Sequence, residues 1–270
     1  MKAQRYCRVP IFLCLAMSVA GVGPALGDTL YLSTQTTILA VDTSTGAILN
    51  EWNQQYGGED ITVSDSIRTI GPKTGDPGAE YTLAGVATGV TYSNPMPLDI
   101  GNHSTLALGG GTSDGTHNYI FDYFSGTVFQ TNLDFTNPVA LFGAGSTAVV
   151  SDISYDPENH SLWITYSDGS SVYDYDLSGN VLSNITTTFT ASGNGMVAFD
   201  PLDGTLWVDT SSGLQQFTTT GTPLGTINRS GFSGGEFAEP VPEPSPLVLL
   251  AAGILGLAGL RARQAVAGRV

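Results

Sequence analysis

A twelve-residue pattern that recurs at one fixed spacing constrains this chain more than any other feature. Ile153-Ser-Tyr-Asp-Pro-Glu-Asn-His-Ser-Leu-Trp-Ile164 and Val197-Ala-Phe-Asp-Pro-Leu-Asp-Gly-Thr-Leu-Trp-Val208 align without a gap, so that Asp156-Pro157 meets Asp200-Pro201 and Leu162-Trp163 meets Leu206-Trp207, 44 residues apart in both cases. Each copy reads as a strand, a turn opened by Asp-Pro, and a second strand rich in β-branched and aromatic residues. Both copies then continue through a third and a fourth short run separated by a Gly turn. In the first these are Val172 to Asp176, Ser178-Gly179-Asn180 and Val181 to Ile185; in the second, Leu214 to Phe217, Gly221 and Leu224 to Ile227.

A unit of this kind cannot bury its apolar faces alone, so it must stack on copies of itself. A weaker copy runs from Val90-Thr91-Tyr92 through Leu106-Ala107-Leu108 and Tyr119 to Asp122, then Gly126 and Val128-Phe129. An opening fragment, Leu30 to Leu32, Ile38 to Asp42 and Gly46 to Leu49, has the later strands of the unit and lacks the first. A strand from the far end of the chain would complete it and leave no edge unpaired. Four-stranded units of about 40 to 45 residues are the blade length of a β-propeller. The expected fold is therefore all-β, a β-propeller-like body over residues 28–230 with four or five short blades. A β-sandwich or an irregular β-solenoid are the competing architectures. Asn53 to Gly89 is the least regular stretch, either a degenerate blade or a loop insertion. The cadence of aromatic-Asp-Pro, Leu-Trp and Asp-to-Gly turns resembles that of NHL, quinoprotein-like and related secreted propellers.

Charge is segregated along the chain. Lys2, Arg5 and Arg8 open it and Arg261, Arg263 and Arg269 close it, whereas all 24 acids lie between Asp28 and Glu243. Within those limits the cations are Arg68, Lys73 and Arg229, so three against 24 leave the body at −21. Such a field repels phosphate backbones and excludes nucleic acid as a partner. Both cysteines, Cys7 and Cys14, precede the body, which therefore has neither a disulfide framework nor a thiolate metal site.

The two ends carry the most specific motifs. Residues 1–27 place a basic start before an apolar run from Val9 to Val22, then Pro24 and Ala25-Leu26-Gly27. This is the layout of a secretory signal peptide, with cleavage expected between Gly27 and Asp28 by signal peptidase after passage through the secretion translocase. At the other end, a linker over residues 231–246 contains Val241-Pro242-Glu243-Pro244, and residues 247–270 hold an apolar run from Leu247 to Leu260 that stops at Arg261-Ala262-Arg263. At 1.5 Å per residue that run spans about 21 Å, short of a hydrocarbon core of roughly 30 Å. The cations would hold its end in the cytoplasm.

This tripartite tail resembles the PEP-CTERM sorting signal of Gram-negative bacteria, in which a Pro-Glu-Pro motif, a short membrane segment and a basic cluster are recognised by an exosortase. Pro242, Glu243 and Pro244 match the motif, and Arg261 and Arg263 match the basic end. Ala262 interrupts the usual Arg run, and residues 264–270 extend beyond it. The resemblance implies transient insertion in the inner membrane, removal of the tail by an exosortase-like protease, and delivery to the cell surface or extracellular space, commonly beside exopolysaccharide or biofilm matrix.

No residue set in the body points to catalysis. Gly231-Phe232-Ser233-Gly234-Gly235 matches a nucleophile-elbow expression, yet His103, His117 and His160 all precede Ser233 and the segment reads as a spacer. The three histidines lack zinc-site spacing. Asp174, Asp176, Asp200 and Asp203 lack the EF-hand spacing, and Asp beside Pro or Gly is ordinary turn chemistry, which leaves bound Ca²⁺ as the one cofactor the acid content suggests. Gly109-Gly110-Gly111 reads as a loop without the Lys of a phosphate-binding loop. Trp163 and Trp207, equivalent in the repeat, are expected in the core, and Trp52 is the freer candidate for stacking on a sugar. The expected function is a non-enzymatic module binding polysaccharide, matrix protein or cations. The alternatives are a secreted propeller hydrolase or lyase with carboxylates in a central channel, and a calcium-stabilised structural surface protein.

Overall fold

A computed structural model describes residues 29–58, 60–71, 73–94, 108–123, 125–144, 150–166, 171–186 and 195–238. Residues 1–27, expected as a signal peptide, and 247–270, expected as a sorting tail, lie outside these. The described residues form twenty strands and no helix, arranged as five antiparallel four-stranded sheets. Blade 1 holds β1 (Thr29–Ser33), β2 (Thr37–Asp42) and β3 (Ile48–Asn53); blade 2 holds β4 (Asp60–Val63), β5 (Ile67–Ile70), β6 (Pro77–Tyr81) and β7 (Ala87–Ser93). Blade 3 is β8 (Leu108–Ser113), β9 (His117–Asp122), β10 (Thr127–Asn132) and β11 (Val139–Gly143). Blade 4 is β12 (Val150–Asp156), β13 (Ser161–Tyr166), β14 (Ser171–Asp176) and β15 (Val181–Thr186), and blade 5 is β16 (Val197–Asp200), β17 (Thr205–Thr210), β18 (Gly213–Thr218) and β19 (Pro223–Ile227). The last strand, β20 (Gly234–Phe237), pairs antiparallel with β1, with Leu30 opposite Phe237 and Ser33 opposite Gly234. It supplies the missing first strand of blade 1, and the ring is a five-bladed β-propeller.

Of the two alternatives for Asn53 to Gly89, the blade holds: most of the stretch belongs to blade 2. Three expectations are corrected. Val90 to Tyr92 closes that blade rather than opening the next one, whose first strand is β8 and contains Gly109-Gly110-Gly111. These glycines form a strand because it runs where neighbouring chains crowd. A Cβ on Gly110 would lie 2.6 Å from an Asp152 carboxylate oxygen, and one on Gly111 would lie 2.9 Å from the Thr62 methyl. Finally, the stretch read as a spacer from residue 231 is structured through Ala238. Asp209, fully buried, accepts the N–H groups of Gly231 and Phe232 at 2.8 and 2.9 Å and aims the chain into β20.

The second strand of each blade is buried on both faces, which is why apolar residues can follow one another along it, as in Leu162-Trp163-Ile164 and Leu206-Trp207-Val208. Along β13, Leu162, Ile164 and Tyr166 pack with Phe121 and Val128 of blade 3, while Trp163 packs with Val197, Phe199 and Leu206 of blade 5. The pattern repeats one blade on, where Trp207 of β17 turns to Leu30, Leu32 and Phe237 of blade 1. The fourth strands form the perimeter and are largely exposed.

A repeated device locks each blade to the one before it. The turn between the third and fourth strands carries a Gly at positive φ whose α-carbon abuts the preceding blade's outer strand: Gly46 on Ile227, Gly85 on Trp52, Gly179 on Phe142 and Gly221 on Ile185. Blade 3 departs from the rule. Its turn uses Phe135 and Asn137 at positive φ, and the buried Phe135 ring meets Tyr92 of blade 2 edge-on at 5.4 Å.

Candidate functional site

Polar groups gather at the axis and in the cleft between blades 5 and 1. At the axis the first strands β20, β4, β8, β12 and β16 lie side by side, and side chains bridge one blade to the next. The Thr112 hydroxyl accepts the Tyr155 N–H at 2.9 Å, one Asp152 carboxylate oxygen accepts the Val197 N–H at 3.0 Å, and the Ser154 hydroxyl accepts the Phe199 N–H at 2.8 Å. Ser154 also donates to Glu236 at 3.2 Å. Asp152 and Glu236 are 1% and 4% exposed. They are the carboxylates a channel enzyme would recruit, and both take part in the hydrogen bonds that hold the first strands together.

The cleft holds a pocket of about 550 Å³ between blade 5 and the β2–β3 turn of blade 1. Its origin is visible in the repeat. Across the face of blade 4 that meets blade 5, Trp163, Asp174 and Ser183 stand in a row on β13, β14 and β15. The matching row in blade 5 is Trp207, Gln216 and Gly225, and the loss of the serine side chain opens space. In blade 4 the Trp163 indole N–H reaches an Asp156 oxygen at 3.5 Å; in blade 5 the Trp207 indole N–H, in a side chain 3% exposed, has no hydrogen-bond partner among the described residues. The Gln216 amide nitrogen is held by Asp203 at 3.0 Å and by the Thr205 hydroxyl at 2.9 Å. Its oxygen therefore points toward Gly225, 3.7 Å from where a Cβ there would sit. Thr43, Ser44 and Thr45 form the opposite wall, and Arg229 closes one side.

Electrostatics sets Arg229 apart. Arg68 is buried in blade 2 between Asp65 at 2.8 Å and Glu80 at 3.3 Å, and its hydrogen bond holds the Asp65 carboxyl below the usual range. Arg229 has no carboxylate partner among the described residues; its guanidinium makes only a long contact, 3.5 Å, with the Gly46 carbonyl. The acids nearby are engaged in the walls. Asp42 accepts the Ser44 hydroxyl at 2.6 Å and the Thr45 N–H at 2.9 Å, which together lower its carboxyl pKa.

The residues singled out from sequence fall as follows. Val241, Pro242, Glu243, Pro244, Arg261, Arg263, Gly27, Asp28 and His103 lie outside the described residues. Ser233 is buried, its hydroxyl and N–H both bound to the Ser33 carbonyl at 3.3 and 3.0 Å, and it precedes a strand where an elbow would need a helix. His160 is an exposed turn residue with Nδ1 2.7 Å from the Tyr155 hydroxyl. His117 sits 3.4 Å from Asp114. Trp163 and Trp207 are core residues, as the repeat implied. Trp52 is wedged against Gly85 and Tyr81 rather than offered as a platform. Asp176 and Asp200 accept backbone N–H groups of their own turns, and no group of three or more metal-ligating side chains gathers among the described residues. Asp174 is different: burial, with the Asp156 charge adding to it, holds its carboxyl above the usual range.

No family model matches this chain, and no curated protein sequence matches it significantly. Among solved structures it is similar to a functionally unknown protein from Desulfotomaculum acetoxidans, at 12% identity and a TM-score of 0.48 over 79% of this chain and 86% of that one. A protein of unknown function from Bacteroides caccae aligns at 13% identity and a TM-score of 0.44 over 74% and 72%. Dihydro-heme d1 dehydrogenase NirN aligns at 14% identity and a TM-score of 0.36 over 77% of this chain and 45% of that chain. The propeller assignment stands on the five-sheet ring itself.

Proposed function

We propose that this protein is an exported, C-terminally sorted and non-enzymatic propeller that binds a saccharide in the cleft between blades 5 and 1, at the cell surface or in the extracellular matrix. The observation that carries this reading is the pocket: Thr43, Ser44, Thr45, Gln216, Thr226, Asn228 and Trp207, nearly all polar, line one 550 Å³ space. That volume lies within the range of roughly 300 to 1,000 Å³ typical of ligand sites. Polyhydroxylated ligands suit a wall of this composition, since each hydroxyl can donate and accept in turn. Export and sorting rest on the terminal motifs, with the tail removed near Pro242-Glu243-Pro244 by an exosortase-like protease after transient insertion in the inner membrane.

The non-enzymatic part is supported by the axis, where Asp152 and Glu236 are engaged in bridging the first strands. Two measurements test the proposal. Intact-mass analysis of protein recovered from its native host is expected to show cuts after Gly27 and near residues 242–244. Protein recovered with Leu247 to Val270 still attached would overturn the sorting half. Screening the full chain against an oligosaccharide panel is expected to give binding without turnover; release of shortened sugars would overturn the non-enzymatic half.

A further inference from the structure

We infer that the sugar taken by the blade 5–blade 1 pocket is acidic, a uronate or similar carboxylated residue within an otherwise neutral chain. This rests on the reading of the pocket as a saccharide site and goes beyond it by naming the ligand's charge.

Arg229 carries the argument. A guanidinium is worth most when its donors meet two oxygens of one anion, and carboxylates match that fork. Blade 2 shows how this fold treats an arginine it needs for structure: Arg68 is 5% exposed and surrounded by Ser64, Asp65 and Glu80. Arg229 is half-buried at the pocket wall, and its terminal amino groups have no partner among the described residues. In a body with 24 acids against three cations, a carboxylate could readily have been placed beside it. Instead the acids flanking the cleft are turned away. Asp42 fixes the Thr43–Thr45 wall, and both oxygens of Asp203 are spent on Thr205 and Gln216. One side of the pocket thus presents an uncompensated positive charge.

The rest of the lining limits what the anion is attached to. The Gln216 oxygen stands toward Gly225 as an acceptor, and Thr226 and Asn228 add polar side chains to the same lining, so a hydroxyl-bearing ligand suits the wall beside Arg229. A densely charged polymer is disfavoured, because the body at −21 repels it at long range. One acid group among neutral sugars meets Arg229 without that penalty.

The test is calorimetry on the full chain in a non-glycosidic detergent, with a tetrasaccharide containing one glucuronate and its carboxyl-reduced neutral counterpart. The acidic probe is expected to bind at least tenfold more tightly. Arg229→Gln should bring it to the level of the neutral probe, Arg229→Lys should keep part of the preference, and Gly225→Val, which fills the pocket without touching the charge, should weaken both probes tenfold or more. Melting curves for each variant separate lost binding from lost folding. Equal affinity for the two probes, or a preference that survives Arg229→Gln, would overturn the acidic-ligand inference and leave the saccharide site standing. No binding of either probe, or binding indifferent to Gly225→Val, would remove the site and the inference together.

Discussion

Replacing Phe237 with alanine tests how far the ring depends on its last strand. Phe237 is 3% exposed and packs with Leu30, Leu32, Met196, Trp207 and Phe232, a cluster that joins blade 5 to blade 1. Removing a buried phenylalanine ring of this kind costs about 3–5 kcal/mol, because the cavity it leaves collapses only partly. For a body of this size each kcal/mol moves the melting midpoint by about 2–4 °C, so the expected drop is about 6–20 °C. Leu224→Ala, at a perimeter side chain 54% exposed, is the control and should stay within about 0.5 kcal/mol of wild type. Thermal melts by near-ultraviolet circular dichroism would read both variants, and two truncations extend the experiment. A chain ending after Ala238 keeps the strand and should melt cooperatively near the wild-type midpoint; one ending after Arg229 loses β20 and the Asp209 contacts and should not form a cooperative fold. If Phe237→Ala melts within about 2 °C of wild type, or the shorter truncation folds cooperatively, the closing strand is an accessory and the account of ring closure is wrong.

Gly221→Ala should cost about 1–2 kcal/mol for the backbone at φ +86° and about 1–3 more for the 2.7 Å approach to Ile185, whereas Gly115→Ala, at φ +79° in open space, should cost only the first part; comparing their melting midpoints checks this. Ser154→Ala leaves the buried Phe199 N–H without its acceptor and should destabilise by about 1–3 kcal/mol, read from urea unfolding at constant m-value. Asp174→Asn should raise the melting midpoint at neutral pH. Because burial raises the Asp174 pKa in the folded state, the native protein binds the extra proton and wild-type stability falls as pH rises through that raised value. The advantage of the variant is therefore greatest above it and smallest below the unfolded carboxylate range, and a pH-independent difference would refute the assignment.

Blades 4 and 5 were legible because their second strands are buried on both faces and their turns keep Asp-Pro and Gly at fixed offsets. Blade 3 is hard to read in sequence for a physical reason: half of its first strand is glycine, whose value lies in what it omits, and its outer turn reaches positive φ with Phe135 and Asn137 where the other blades use Gly. Blade 2 hid its core behind a buried arginine. The pocket escaped notice through a slip in register. Trp163 and Trp207 are 44 residues apart, but Asp174 and Gln216 are 42 apart, since the turn before the third strand is two residues shorter in blade 5. Only with the strands paired do Gln216 and Gly225 stand opposite Asp174 and Ser183 as the positions where blade 5 departs from blade 4. Arg229 was visible as one of three cations in the body, though nothing in sequence placed it beside the Thr43–Thr45 turn.

The pairing of Leu30 with Phe237 brings the first and last described residues of the ring to neighbouring positions, and the pairing of Thr29 with Asp42 sets the β2–β3 turn at that same end of blade 1. The two ends of the described ring and the Thr43–Thr45 wall of the pocket therefore share one rim of the propeller, so anything joined at Thr29 or Ala238 is attached on the pocket's side of the molecule.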